Sequence, residues 1–180
     1  MAGEAGRSGL MGLGRLLPGI AAGATTIAAA PLDPVKTLAG RYSTHFENAT
    51  VEGDKYWSDD VVEIVPVDAR HAYFNLRLNF ANGHSCGLSG IARAKGDALD
   101  YVAPAGSRVE GCHMTLSRNG RWLHLDDHDG SCQSTCGSRG GYGGEGQPWK
   151  SKRPITYLSR IRGSEEYRAA LAEWRKEEAK

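Results

Sequence analysis

Hydrophobic and polar residues alternate along the chain from about Leu38 to Asp126, which is the period-two pattern of strands with one buried face. The clearest run is 74–80, where Phe, Leu, Leu and Phe alternate with Asn, Arg and Asn. A second run, 61–65, ends at Pro66, a residue that resists strand interiors. The pattern predicts a mainly β fold: an antiparallel meander barrel or sandwich of six to eight strands.

The pattern changes to a helical period near the end of the sequence. Tyr167, Ala170, Leu171 and Trp174 fall on one stripe of a helix. Ser164 is a suitable N-cap for that helix, because its hydroxyl can accept a bond from an unpaired backbone N–H. We therefore predict a C-terminal helix over 164–180 that packs on the sheet.

An Asn-Gly pair at 119–120 lies between two alternating runs, the strongest short-range signal for a two-residue type I′ hairpin. This turn would set Leu116 opposite Leu123 on the buried face. It would also set His113 opposite Asp126 on the exposed face, where we interpret the pair as a cross-strand ion pair.

A second Asn-Gly pair, at 82–83, does not fit a two-residue loop, because that register would oppose apolar and polar residues. A three-residue loop or a bulge pairs Phe80 with Cys86 and Leu78 with Leu88, which keeps the apolar faces together. Cys86 then points inward.

The first residues have the pattern of an export signal. Arg7 and Arg15 precede a modest apolar segment, and small residues at 28–30 end it, with cleavage favoured after Ala29. A disordered Gly/Ala-rich tail is the alternative. We divide the chain into an export signal (1–29), a linker (30–38), a disulfide-bonded β domain (39–163) and the helix (164–180).

All four cysteines lie between positions 86 and 136. In an exported chain they predict two disulfides, and four cysteines allow three pairings. Cys86 and Cys112 both face inward near the starts of their strands. We therefore favour a Cys86–Cys112 bond, with Cys132 and Cys136 closing a small local loop.

The rival interpretation is a zinc site formed by His124, His128, Cys132 and Cys136, which recur every fourth residue. That spacing puts all four on one face only in a helix, whereas His124 belongs to a strand and 129–131 is turn sequence. The disulfide interpretation is favoured.

The acidic segment 126–130 fails as a twelve-residue calcium loop, because Leu125 and Cys136 would occupy its first and last ligand positions. We expect a solvated acidic turn, with no metal ligand and no cofactor. We also assign no catalytic residue, although a His/Asp enzyme site around 113–139 is the alternative.

Basic and acidic residues number 22 and 21, for a net charge of +1, and the basic residues are dispersed. A dedicated nucleic-acid binder would concentrate them, so we expect no nucleic-acid partner. No apolar run approaches the ~20 residues that span a bilayer, so we expect no transmembrane segment in the mature chain.

The segments 82–86, 111–112 and 130–140, which contain the four cysteines, resemble a pattern in small four-cysteine proteins of the bacterial envelope. Some of those proteins are associated with lysozyme-inhibitor-like families. The segment 38–42 is similar to the Gly-x-aromatic opening of lipocalin-like meander barrels. No functional residue is carried over from either resemblance.

These observations lead us to expect a periplasmic or secreted monomer with a binding role. Its partner would be an envelope protein such as a lysozyme-like hydrolase, or a small ligand in the barrel. A purely structural envelope component is a further alternative.

Overall fold

The computed structural model describes residues 33–144 and 146–180, so the expected export signal and the first residues of the expected linker lie outside the described residues. The described ranges contain a single antiparallel meander of eight strands, in the order of the chain. The strands are β1 (Gly40–Ala49), β2 (Lys55–Pro66), β3 (His71–Asn79), β4 (Ser85–Lys95), β5 (Ala98–Val102), β6 (His113–Asn119), β7 (Trp122–Asp126) and β8 (Gln147–Pro148). The helices are α1 (Pro34–Leu38), α2 (Leu158–Arg162) and α3 (Glu165–Glu178).

The sheet curls into a nearly closed barrel. After β8 the chain returns to β1, where Arg41 and Arg153 exchange two backbone N–H···O bonds of 2.8 Å. The prediction of a mainly β meander with a C-terminal helix is confirmed, with strand number at the upper end of the expected range.

The barrel interior is filled by the inward-facing side chains of the alternating strands. The Tyr101 ring packs edge-on against Phe74 over the intervening strand β4, with ring centroids 5.1 Å apart. A Cβ atom on Gly90 would lie 2.4 Å from that tyrosine ring, so only glycine allows the ring to occupy this position. The largest fully buried members are Tyr42, Tyr73, Phe74, Leu38, Ile64, Leu76, Leu99, Met114, Leu116, Leu123, Leu125 and Val62, and all but Tyr73 belong to this interior cluster.

One end of the barrel is covered by α1. Asp33 caps this helix by accepting a 3.3 Å bond from the backbone N–H of Lys36, and Pro34 occupies the first turn, where its missing N–H costs nothing. Leu38 is fully buried, and its carbonyl accepts a 2.9 Å bond from the Tyr42 hydroxyl. The apolar residues of α1, which fall within the expected linker, are buried in the barrel core.

The other end is covered by the loop 127–144, which two disulfides fix to the barrel. They join Cys86 to Cys136 and Cys112 to Cys132. The expectation that all four cysteines form disulfides is confirmed, but the favoured pairing was wrong. The loop crosses the barrel end, so each of its cysteines meets a different inward-facing cysteine of the strands.

The β6–β7 hairpin has a different register from the predicted one. Asn119 pairs with Trp122, and Leu116 pairs with Leu125. Gly120 has φ +55° at the first central position of the turn, where a type II′ turn places glycine. The register moves by two positions, so the apolar faces stay as predicted while the cross-strand partners change.

The connection between β3 and β4 runs over 80–84, and its turn has the predicted three residues, but they are 81–83 because the backbone N–H of Phe80 donates a 2.8 Å bond to the carbonyl of His84. Within it Asn82 adopts φ +59°, a left-handed conformation that asparagine tolerates better than most residues. The pairing is Leu78 with Cys86 and Leu76 with Leu88, two positions from the predicted register. Cys86 is buried and faces inward, as predicted.

The C-terminal helix packs on the outside of the barrel. The Ser164 hydroxyl accepts a 3.2 Å bond from the backbone N–H of Tyr167, which confirms the predicted N-cap. Tyr167 and Ala170 are buried against Tyr73 and Ile91 on the outer surfaces of β3 and β4.

Candidate functional site

The β1–β2 hairpin projects beyond the rest of the sheet. Its ladder continues to the pair Ala49 and Lys55, whereas pairing of β2 with β3 begins only at Val61. We call residues 44–60 the β1–β2 arm. The Tyr56 hydroxyl connects the arm to the β3–β4 turn by accepting a 2.8 Å bond from the backbone N–H of Gly83.

The outer surface of the arm presents an exposed aromatic side chain. Trp57 is 64% exposed, and its indole stacks on the His45 imidazole with ring centroids 4.6 Å apart. The Nδ1 atom of His45 lies 2.9 Å from Oδ1 of Asp59, and this contact holds the imidazole in its position against the indole. Val51, at the tip of the arm, is 65% exposed. Two of the most exposed large hydrophobic residues therefore lie on this one projection.

The arm is strongly acidic, although the whole chain is nearly neutral. The segment 47–60 contains five acidic residues and one basic residue, Lys55. Lys55 is itself paired with Glu47 at 2.7 Å. The arm therefore combines apolar anchors with a surplus of negative charge, an arrangement that favours a positively charged partner.

A polar cleft of about 480 Å³ lies between the outer surface of β2–β4 and α2. Its centre is Glu63, which is only 4% exposed and accepts a 2.5 Å bond from the Tyr157 hydroxyl. Arg77 lies 3.6 Å from the same carboxylate. Burial and the bond to this carboxylate raise the pKa of Tyr157. These contacts attach the C-terminal segment to the barrel, so we interpret the cleft as a structural connection.

A second cluster of functional groups lies on the outer surface of β5 and β6. Nε2 of His113 lies 2.7 Å from Oδ1 of Asp100, and the Thr115 hydroxyl donates a 3.1 Å bond to the same oxygen. The His128 ring stacks on the His113 ring, with centroids 3.6 Å apart and planes within 6° of parallel. We call Asp100, His113 and His128 the histidine–aspartate cluster.

The disulfide-bonded loop holds His128 over His113. The Ser131 hydroxyl accepts a 2.9 Å bond from the backbone N–H of His113, and Cys132 is bonded to Cys112 next to it. Within the turn, His128 and Asp129 adopt φ values of +46° and +63°, which are uncommon for residues other than glycine.

Asp100 supplies the carboxylate of the cluster and is hydrogen-bonded on both of its oxygens. Its burial favours the neutral form, but hydrogen bonds from His113, Lys95 and Thr115 outweigh that effect and lower the pKa of Asp100. The Lys95 ammonium lies 3.1 Å from Oδ2 and is 72% exposed. The carboxylate is therefore held ionised beside two imidazoles.

The structure separates most of the residues considered as sites from the sequence. Cys132 and Cys136 are both in disulfides, which removes them from the alternative zinc set with His124 and His128. His124 pairs with Ser117 on β7.

The expected ion pair of His113 with Asp126 was wrong, because the observed register places Asp126 opposite Thr115. Sequence reasoning also missed Trp57 and Asp100. Trp57 carried a usable signal, since it shares the polar phase of its strand with Lys55 and Asp59. No feature of the sequence pointed to Asp100, because its position beside His113 depends on the β5–β6 register.

Comparison with protein-family models, with curated proteins and with solved structures gives no match for this chain. Among the helices that the structure describes, none is both long enough and apolar enough to cross a bilayer. The arm and the histidine–aspartate cluster are therefore interpreted from their own chemistry.

Proposed function

We propose that this chain is an exported, non-catalytic binding protein of the bacterial envelope that binds a basic protein partner through the β1–β2 arm. A lysozyme-like hydrolase is the partner class that the sequence resemblance suggests. The observation that carries the proposal is the 64% exposure of Trp57 on an acidic projection.

The exposed indole is suited to anchor a protein partner. Tryptophan is enriched among the few interface residues that supply most of the binding free energy. The stack on His45 and the contact of His45 with Asp59 restrict the indole ring before binding, so less conformational entropy remains to be lost. The acidic residues around it would accelerate association with a basic protein.

Export is supported by two independent features. The two disulfides are typical of proteins that fold in an oxidising compartment. The sequence of residues 1–29 has the charge and size pattern of an export signal. A periplasmic or secreted location would also bring the arm to envelope-directed hydrolases.

A small ligand inside the barrel is less favoured than a protein on the arm. The interior is occupied by packed side chains, among them Tyr42, Phe74 and Tyr101, which are 4% exposed or less. A ligand would have to displace these side chains and lose their packing.

An enzyme is the second candidate, because Asp100 orients His113 as a base-orienting carboxylate would. The neighbouring Ser131 hydroxyl is the nearby candidate nucleophile, but it is engaged in structural hydrogen bonds. It lies 3.1 Å from the carbonyl of His113 and 2.5 Å from the carbonyl of Asp127. A binding role on the arm is therefore favoured over nucleophilic catalysis at this cluster.

Binding kinetics on immobilised protein test the proposal. The disulfide-bonded chain is presented to a panel of lysozymes of different structural types, at low and at physiological salt. We expect binding to at least one of them, with Trp57→Ala weakening it about 30-fold, the loss expected for an interface hot spot. Association should slow as salt rises, because charge steering is screened.

Val102→Ala is the matched control, since Val102 is 63% exposed but lies on β5, outside the arm. It should leave binding unchanged. If Trp57→Ala and Val102→Ala bind equally well, the arm is not the interface. If no lysozyme binds, the hydrolase partner is excluded.

A further inference from the structure

We propose that Asp100, His113 and His128 form a binding site for a divalent transition metal ion, with Zn²⁺ as the preferred occupant. This site is distinct from the β1–β2 arm and does not depend on the proposed partner. One nitrogen from each imidazole and one carboxylate oxygen lie within 4.8 Å of one another.

The ligand types fit zinc. Two imidazole nitrogens and one carboxylate oxygen are a recognised protein set for Zn²⁺, with the remaining position open to water. Metal–ligand bonds of about 2.0–2.2 Å place neighbouring ligand atoms roughly 3.4 Å apart around a tetrahedral ion. The three ligand atoms, now within 4.8 Å of one another, must therefore move closer together when the ion binds.

The backbone holds the second histidine where a ligand is required. His128 and Asp129 occupy left-handed conformations at the start of the loop, directly after β7, and strain of this kind concentrates at functional sites. The backbone N–H of His128 donates a 2.9 Å bond to Asp126, which helps to fix the turn. The Cys112–Cys132 bond ties the same loop to the start of β6.

Metal binding requires one imidazole to rotate. An imidazole binds a metal in the plane of its ring, and one ion cannot lie in the planes of two rings that are parallel and stacked 3.6 Å apart. His128 is exposed, and its Nε2 atom lies 2.8 Å from the Thr115 hydroxyl. We therefore infer that the His128 ring tilts away from the stack and exchanges this hydrogen bond for the metal.

Lys95 opposes the metal in the metal-free protein. Its ammonium lies 3.1 Å from Oδ2 of Asp100, where it would repel a divalent cation. Because this side chain is 72% exposed, it can move into solvent when the ion binds. This arrangement predicts that removing the lysine charge strengthens metal binding, an effect that a purely structural Asp100–His113 pair would not produce.

Isothermal titration of the untagged, metal-stripped protein with Zn²⁺ tests the site. We expect one ion per chain, affinity at least tenfold weaker in His113→Ala and in His128→Ala, and affinity about fivefold stronger in Lys95→Ala. His124→Ala is the matched control, since His124 lies on β7 outside the cluster, and it should bind as the parent does.

Imidazole NMR signals give the second readout. Zn²⁺ should shift the ring protons of both His113 and His128, because ligation and loss of the stack change their shielding together. Absence of zinc binding by the parent protein would overturn the proposal. Binding that is unchanged in His128→Ala would also overturn it, because that variant removes an exposed ligand of the proposed site.

Discussion

Removing the disulfides one at a time should destabilise the barrel by different amounts. The two variants are Cys86→Ala with Cys136→Ala, and Cys112→Ala with Cys132→Ala, each of which leaves the other bond intact. Both bonds join a strand of the barrel to the loop that covers its end. Losing either one frees that loop in the unfolded chain.

The expected magnitudes follow from the lengths of chain that the bonds close. The sequence separations are 50 residues for Cys86–Cys136 and 20 residues for Cys112–Cys132. The loop-closure relation then gives losses of about 4 and about 3 kcal/mol in the free energy of unfolding. Equilibrium urea unfolding, followed by tryptophan fluorescence, measures both losses.

The single variant Cys112→Ala identifies the pairing directly. Because Cys132 is buried, the variant is unfolded in urea without reductant, and Cys132 should then be the one cysteine that iodoacetamide alkylates, as located by peptide mass spectrometry. Alkylation at Cys86 would instead support the pairing first favoured from the sequence. That result, or a loss below about 1 kcal/mol for either double variant, would refute the reasoning.

Two further predictions concern buried residues of the barrel and of its covering loop. Gly90→Ala should cost about 1–3 kcal/mol in the free energy of unfolding, because the new Cβ atom meets the Tyr101 ring. The control Gly87→Ala, whose new Cβ atom has its nearest contact at 4.0 Å, should cost less than about 1 kcal/mol. Equal losses of the two variants in urea unfolding would contradict this prediction. Burial raises the pKa of three buried tyrosines to about 12. The folded state therefore retains hydroxyl protons that the unfolded state loses above about pH 10. Stability should therefore fall between pH 10 and 12, measured by thermal unfolding with tyrosinate absorbance, and a flat profile would contradict it. These are Tyr73, Tyr101 and Tyr142.

The strands and their buried faces could be predicted because alternation is a local property of the sequence. The strand at 74–80 and the inward orientation of Cys86 both follow from the alternation of apolar and polar residues alone. Even where the register moved by two positions, as between Leu116 and Leu125, every apolar residue kept its face. A shift of two preserves the inward and outward phase of a strand.

The disulfide pairing and the histidine–aspartate cluster could not be predicted, because they depend on the path of a loop across the barrel end. Cys132 and Cys136 are four residues apart in sequence, yet they meet cysteines of different strands. Likewise, Asp100 meets His113 only through the β5–β6 register, and His128 joins them only through the turn of the loop.

The central claim is that the β1–β2 arm is the surface that binds a protein partner. Hydrogen–deuterium exchange of the disulfide-bonded chain, alone and saturated with the tightest-binding lysozyme, tests it most directly. We predict slower exchange in residues 44–60, around Trp57, with little change in the histidine–aspartate cluster and its loop at 126–131. Protection of 126–131 with an unchanged arm would contradict the account.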